Sequence, residues 1–122
     1  MYFTLFYETE IFMQARYVHN GNAIDYMPTT AVAAGQIIAF GDMIGIARLD
    51  IPANTLGALA VTGVYDVVKG DAAFNPGDAV YWNAVDFIAV TAGTGNPLLG
   101  RAVVASSSSD PTVRVKLASA VG

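Results

Sequence analysis

Helical periodicity is hard to find in this sequence. Short runs rich in Val, Ile and aromatic residues recur between Gly, Asp, Asn and Pro. That pattern constrains the fold, because β-branched and aromatic side chains suit a pleated surface, while Gly and Asp close tight turns. Strands are predicted at 36–40, 43–49, 58–67, 79–82, 87–90, 98–105 and 112–117. The expected fold class is all-β: a compact barrel or sandwich of short antiparallel strands with little helix.

The turns have their own chemistry. Gly41-Asp42, Gly70-Asp71 and Pro76-Gly77-Asp78 each set a residue tolerant of positive φ beside a carboxylate that can accept backbone N–H groups. Asp86 is expected to act in the same way ahead of the run 87–90. Stretches 93–97 and 106–111 are polar and loop-like, and neither is long enough to be a domain linker.

A weak internal repeat is visible. Segment 35–40 resembles 77–82, and 43–47 resembles 98–102, each followed by another strand-like run. Two similar β-units sharing one core would account for it, although Gly-punctuated strands also resemble one another by chance. The repeat lengths of known solenoids and propellers do not fit.

Strict alternation over 112–117 puts Val113, Val115 and Leu117 on one face and Thr112, Arg114 and Lys116 on the other. Cations on an open strand face discourage unwanted edge pairing, and they also suit a partner surface. Tyr81 and Trp82 are neighbours in a strand, so their rings must point to opposite faces. One can enter the core while the other is left for an interface, where both residue types are enriched.

With 122 residues the chain is expected to form one β-rich domain over 17–122. Charged residues make up only 13% and hydrophobic ones 54%, so part of the apolar surface is expected to be covered by other subunits. A formal charge of -4 and only six scattered basic residues argue against a nucleic-acid partner. No membrane span is expected, because Glu8 and Glu10 interrupt the apolar start well short of the ~20 residues a bilayer needs.

The chemistry of common active sites is also missing. No P-loop surrounds Lys69 or Lys116, and no nucleophile elbow surrounds the serines at 106–109. No dinucleotide-binding glycine motif occurs, and the chain has no cysteine. His19, the single histidine, sits between a strand-like run and a turn rather than beside a nucleophile. Six of the aspartates, at 42, 50, 66, 71, 78 and 86, lack calcium-loop spacing and are explained by turns. No enzyme activity, cofactor or metal is expected.

In order and separation, the segments 33–47, 63–69, 77–83, 98–102 and 110–117 resemble a family of small tailed-phage head proteins, the capsid cement or decoration proteins. The resemblance runs from about Ala31 to Leu117, about seven tenths of the chain. It implies a compact β-rich fold and assembly as a homotrimer. It further implies attachment to the major capsid protein on the outer surface of the expanded head, which is stabilised against internal DNA pressure. No catalytic residues come with the resemblance. A recombinase activity sometimes ascribed to this family gains no support, because the P-loop is absent.

Relatives in that family usually begin near the region 14–20, which sets residues 1–16 apart. They are expected to be either an N-terminal arm or an upstream start, with Met13 opening a more ordinary polar beginning. As an arm, Phe3 and Phe6 would need burial on a neighbouring subunit or the capsid. The candidate subunit or capsid contacts are therefore Phe3, Phe6, Tyr81, Trp82, Arg114 and Lys116. The competing function is a carbohydrate- or receptor-binding β module on the virion, suggested by Trp82, the tyrosines and the polar loops.

Overall fold

A computed structural model describes residues 14–118. Among them every regular element is a strand. These are β1 (Ala23–Tyr26), β2 (Ile37–Phe40), β3 (Met43–Ala47), β4 (Gly57–Ala60), β5 (Val64–Val68), β6 (Ala79–Asn83), β7 (Ile88–Val90), β8 (Leu98–Ala102) and β9 (Thr112–Leu117).

They form two antiparallel sheets, one of four strands in the order β1-β4-β3-β2 and one of five in the order β5-β9-β8-β6-β7. The arrangement is a sandwich rather than a closed barrel. The second sheet curls far enough for Lys69, just past β5, to bridge in parallel to Ala89 on β7, but it stays open.

The expected strand 58–67 is two strands in different sheets. Gly63, at φ 117°, turns the chain between β4 and β5, a conformation that favours a residue without Cβ. β1 was not expected from sequence, and the expected strands 43–49 and 98–105 stop at Ala47 and Ala102. In both cases the chain then leaves its sheet to make an isolated antiparallel bridge, Val32 with Ile51 and Phe74 with Ser106.

Those two bridges belong to a repeat that covers most of the fold. β1, β2, β3 and β4 have the same order and pairing as β5, β6, β8 and β9, and the β7 hairpin is an addition to the second unit. Register matches too: Ala47 faces Leu59 in the first unit, and Ala102 faces Val115 in the second. Gly35 N donates to Ala47 O, and Gly77 N donates to Ala102 O. Val61 N donates to Asn22 O, and Leu117 N donates to Gly63 O.

The equivalent glycines Gly45 and Gly100 are both walled in. A Cβ on Gly45 would lie 2.7 Å from Leu59 Cβ, and one on Gly100 would run into the Lys116 carbonyl and Val115.

The main core joins the units. Ile44 and Ile46 from β3 pack with Val80, Trp82, Leu99, Val113 and Val115 of the second sheet, and Phe74 closes over them. The other face of the first sheet has a small core of its own, in which Leu59 and Ala47 lie beneath the bridged pair Val32 and Ile51.

Turn chemistry follows the sequence reading at Asp78 and extends to Asp110, which the sequence reading does not single out, while Asp42 and Asp71 accept no backbone N–H among the described residues. Asp78 accepts from Asn75 N at 2.8 Å, and Asp110 accepts from Ser107 N at 2.8 Å. In the β6–β7 hairpin the main cap is Asn83, whose Oδ1 accepts from Val85 N and Asp86 N, while Asp86 receives the Asn83 amide.

Candidate interaction face

Strand alternation in β9 has a consequence for the whole second sheet. Val113, Val115 and Leu117 are buried, so Thr112, Arg114 and Lys116 stand on the outer face. Register extends that face across three strands. Lys116 lies opposite Val64 of β5 and Arg101 of β8, and Arg114 lies opposite Asp66. Val103 follows Arg101 along the same edge, its N–H donating to Arg114 O.

Three of the chain's six basic residues therefore share one face of an acidic protein. Around them Val64, Val68 and Val103 expose apolar surface.

Charge on this face is unevenly balanced. Arg114 Nε donates to Asp66 Oδ1 at 2.9 Å, and a second guanidinium nitrogen donates to Oδ2 at 3.2 Å, the two-pronged geometry that suits a carboxylate. The hydrogen bond from Arg114 holds the Asp66 carboxyl below the usual aspartate range, and the same bond raises Arg114. Both side chains are about half exposed, so water screens the pair. Arg101 and Lys116, directly opposite each other, have no carboxylate partner among the described residues, and Arg101 donates only to the Gly77 carbonyl at 3.2 Å.

A cleft of about 550 Å³ lies between the two units, with Ile37, Ile46 and Arg48 on one wall and Tyr65, Trp82 and Phe87 on another. It holds no constellation for catalysis. Among the described residues no three His, Cys, Asp or Glu side chains converge as a metal site. His19 Nδ1 accepts from Gly21 N at 3.1 Å as a turn contact. Ser106 is buried and donates to Thr112 O at 2.9 Å. Lys69 is buried with its ammonium donating to the carbonyls of Gly70, Ala72 and Ser107, so it closes loops rather than facing a ligand. No helix among the described residues is long and apolar enough to cross a membrane.

The structure separates the residues singled out by sequence. Arg114 and Lys116 share the outer face. Trp82 is a core residue, 4% exposed, which removes it as a stacking platform for a sugar. Tyr81 points the other way and is half-buried, its ring lying where a Cβ on Gly93 would come within 3.0 Å. Phe3 and Phe6 lie outside the described residues.

Sequence reasoning passed over Arg101 and Val64, and it explained Asp66 by a turn, whereas Asp66 lies within β5 opposite Arg114. The short run 98–102 gives too little alternation to assign Arg101 a face, and the bulge between Val80 and Tyr81 shifts its register with β6.

A family model described as phage cement protein matches residues 18–117. No curated protein and no solved structure matches the chain.

Proposed function

From the premise that the chain belongs to the phage cement protein family, structural proteins of the virion capsid, we propose that it binds the outer surface of the expanded head as a homotrimer. The contact is made with the major capsid protein, and the domain over 17–122 acts as a single decoration unit. The observation that carries this reading is the outer face of β5, β9 and β8, where Arg101, Arg114 and Lys116 sit among exposed valines. Arginine beside exposed apolar area is the make-up of a protein contact, and an acidic molecule with a local basic patch docks in a preferred orientation.

Binding to the expanded lattice but not to free or unexpanded subunits stabilises the shell by mass action, and repeated copies add multivalency. No step of this requires catalysis. Residues 1–16, with Phe3 and Phe6, act in this reading as an arm on a neighbouring subunit or the capsid. Deleting residues 1–12 then weakens capsid binding or trimerisation, and full retention of both overturns the arm.

The central test is co-sedimentation with emptied, expanded heads, together with light scattering of the free protein. A trimer that leaves the supernatant when heads are added is the expected result. A monomer that ignores the heads overturns the reading, and binding to a glycan array instead would install the receptor-binding alternative.

A further inference from the structure

Asn20-Gly21 is the one place in the sequence where an asparagine precedes a glycine. The other asparagines, at 22, 54, 75, 83 and 96, precede Ala, Thr or Pro. The pair is open to an internal reaction in which the glycine amide nitrogen attacks the asparagine side chain, because glycine puts no Cβ in the way. Two things hold that reaction back in an unfolded chain. An amide nitrogen is a poor nucleophile until it gives up its proton, and a carboxamide is a poor electrophile until charge on its oxygen is stabilised.

The fold sets a partner beside each group. Gly21 N donates to His19 Nδ1 at 3.1 Å, within the reach a general base needs of the proton it removes. Nδ1 accepts only in the neutral imidazole that keeps its proton on Nε2, so it has a lone pair for that proton. Asn22 N donates to Asn20 Oδ1 at 3.4 Å, on the oxygen where negative charge gathers during attack. Gly21 sits at φ 76° with open space where a Cβ would stand. Beyond it the chain is tied down, because Val61 N donates to Asn22 O at 3.0 Å and Thr62 Oγ1 donates to Asn22 Oδ1 at 3.5 Å. Base, nucleophile and carboxamide therefore share one turn, fixed at its far end to the first sheet. His19 and Asn20 are both exposed to the water that the reaction consumes. The capsid-binding reading uses none of these groups, so the inference stands apart from it.

We propose that Asn20 is a self-modification site, converted to aspartate and isoaspartate through a cyclic imide, with His19 as the base. His19 Nδ1 takes the Gly21 amide proton as the nitrogen bonds to Asn20 Cγ. The bond from Cγ to Nδ2 then breaks, the imidazolium returns its proton to that nitrogen, and ammonia leaves. Water next opens either carbonyl of the imide, giving isoaspartate or aspartate, and no oxidant or reductant takes part. Each conversion adds one negative charge at residue 20. The isoaspartyl product also lengthens the main chain by one methylene just ahead of β1, where the exposed stretch 14–20 joins the sheet.

The test is timed incubation of the full-length protein in neutral buffer, folded and in urea, followed by peptide mass spectrometry of the segment around residue 20. Conversion is read as the loss of ammonia and the later gain of water, with isoaspartate identified by electron-transfer fragmentation. The folded protein is expected to convert Asn20 about fivefold faster, or more, than the unfolded chain. His19→Gln keeps a hydrogen-bond acceptor for the Gly21 N–H but cannot carry its proton. It is expected to lose the advantage when folded and to match the wild type in urea. Folded wild type that converts no faster than the urea form overturns the site. Equal rates for the folded wild type and His19→Gln overturn His19 as the base. Far-UV circular dichroism before and after incubation checks that the folded samples stay folded.

Discussion

The ammonium of Lys69 donates to the carbonyl of Ser107, 2.8 Å away and 38 residues on in sequence. With two further bonds, to Gly70 O and Ala72 O, it satisfies three carbonyls where β5 leaves its sheet. Lys69→Met keeps the bulk and removes all three donors. Unsatisfied buried acceptors cost ~1–3 kcal/mol each when left dry, and water can reach part of this rim. A loss of about 2–3 kcal/mol in urea unfolding is expected, and a change below about 0.5 kcal/mol would mean the carbonyls find other partners.

Gly100→Ala and Gly45→Ala probe equivalent positions with unequal surroundings. The new methyl at residue 100 would meet a backbone carbonyl, which cannot move without breaking the β8–β9 ladder. At residue 45 it would meet the Leu59 side chain, which has rotamers to use. Overpacking costs ~1–3 kcal/mol, so thermal denaturation is expected to place Gly100→Ala at the upper end or beyond and Gly45→Ala below it. The reverse order would contradict the geometry.

Acid should release the Asp66–Arg114 pair. Asp66 has a folded-state pKa below its unfolded value, so its contribution is fully present above the unfolded value and disappears as pH falls through the folded one. Carboxyl chemical shifts should show Asp66 titrating at lower pH than an ordinary aspartate. Asp66→Asn should narrow the difference in stability between neutral and strongly acidic solution by a small amount, since the pair is exposed.

Trp82 is the single tryptophan, and its burial makes it a reporter. Its emission is expected to be blue-shifted and poorly quenched by iodide, moving to the red on unfolding. Trp82→Ala should cost ~3–5 kcal/mol through the cavity it leaves. Emission like that of a solvated indole in the native protein would place the ring outside the core.

Much of the fold could be read because its determinants are local. Alternation in 112–117 sorted Val113 from Arg114 correctly, and turn pairs such as Gly77-Asp78 marked the places where the chain reverses. β1 was missed because Ala23 and Asp25 carry little strand signal, and its partner β4 contributes only small or aliphatic residues. Alternation also put Tyr81 and Trp82 on opposite faces without saying which was inside, a choice made by Ile46 across the cleft. The outer face was half legible. Arg114 and Lys116 are two residues apart on one strand, but Asp66 and Arg101 join them only through register, which no local pattern encodes.

The duplication also orders events during synthesis. β1 to β4 pair in one sheet, so every strand of the first unit is present in the chain before residue 64 is added. Its Ile44 and Ile46 lack their full set of core partners until the chain has grown through β9. At ~5–20 residues per second that wait lasts on the order of 3–10 s. A first unit that paired within that interval would carry a bare aliphatic sheet face, with Ile44 and Ile46 open to neighbouring chains on the same polysome.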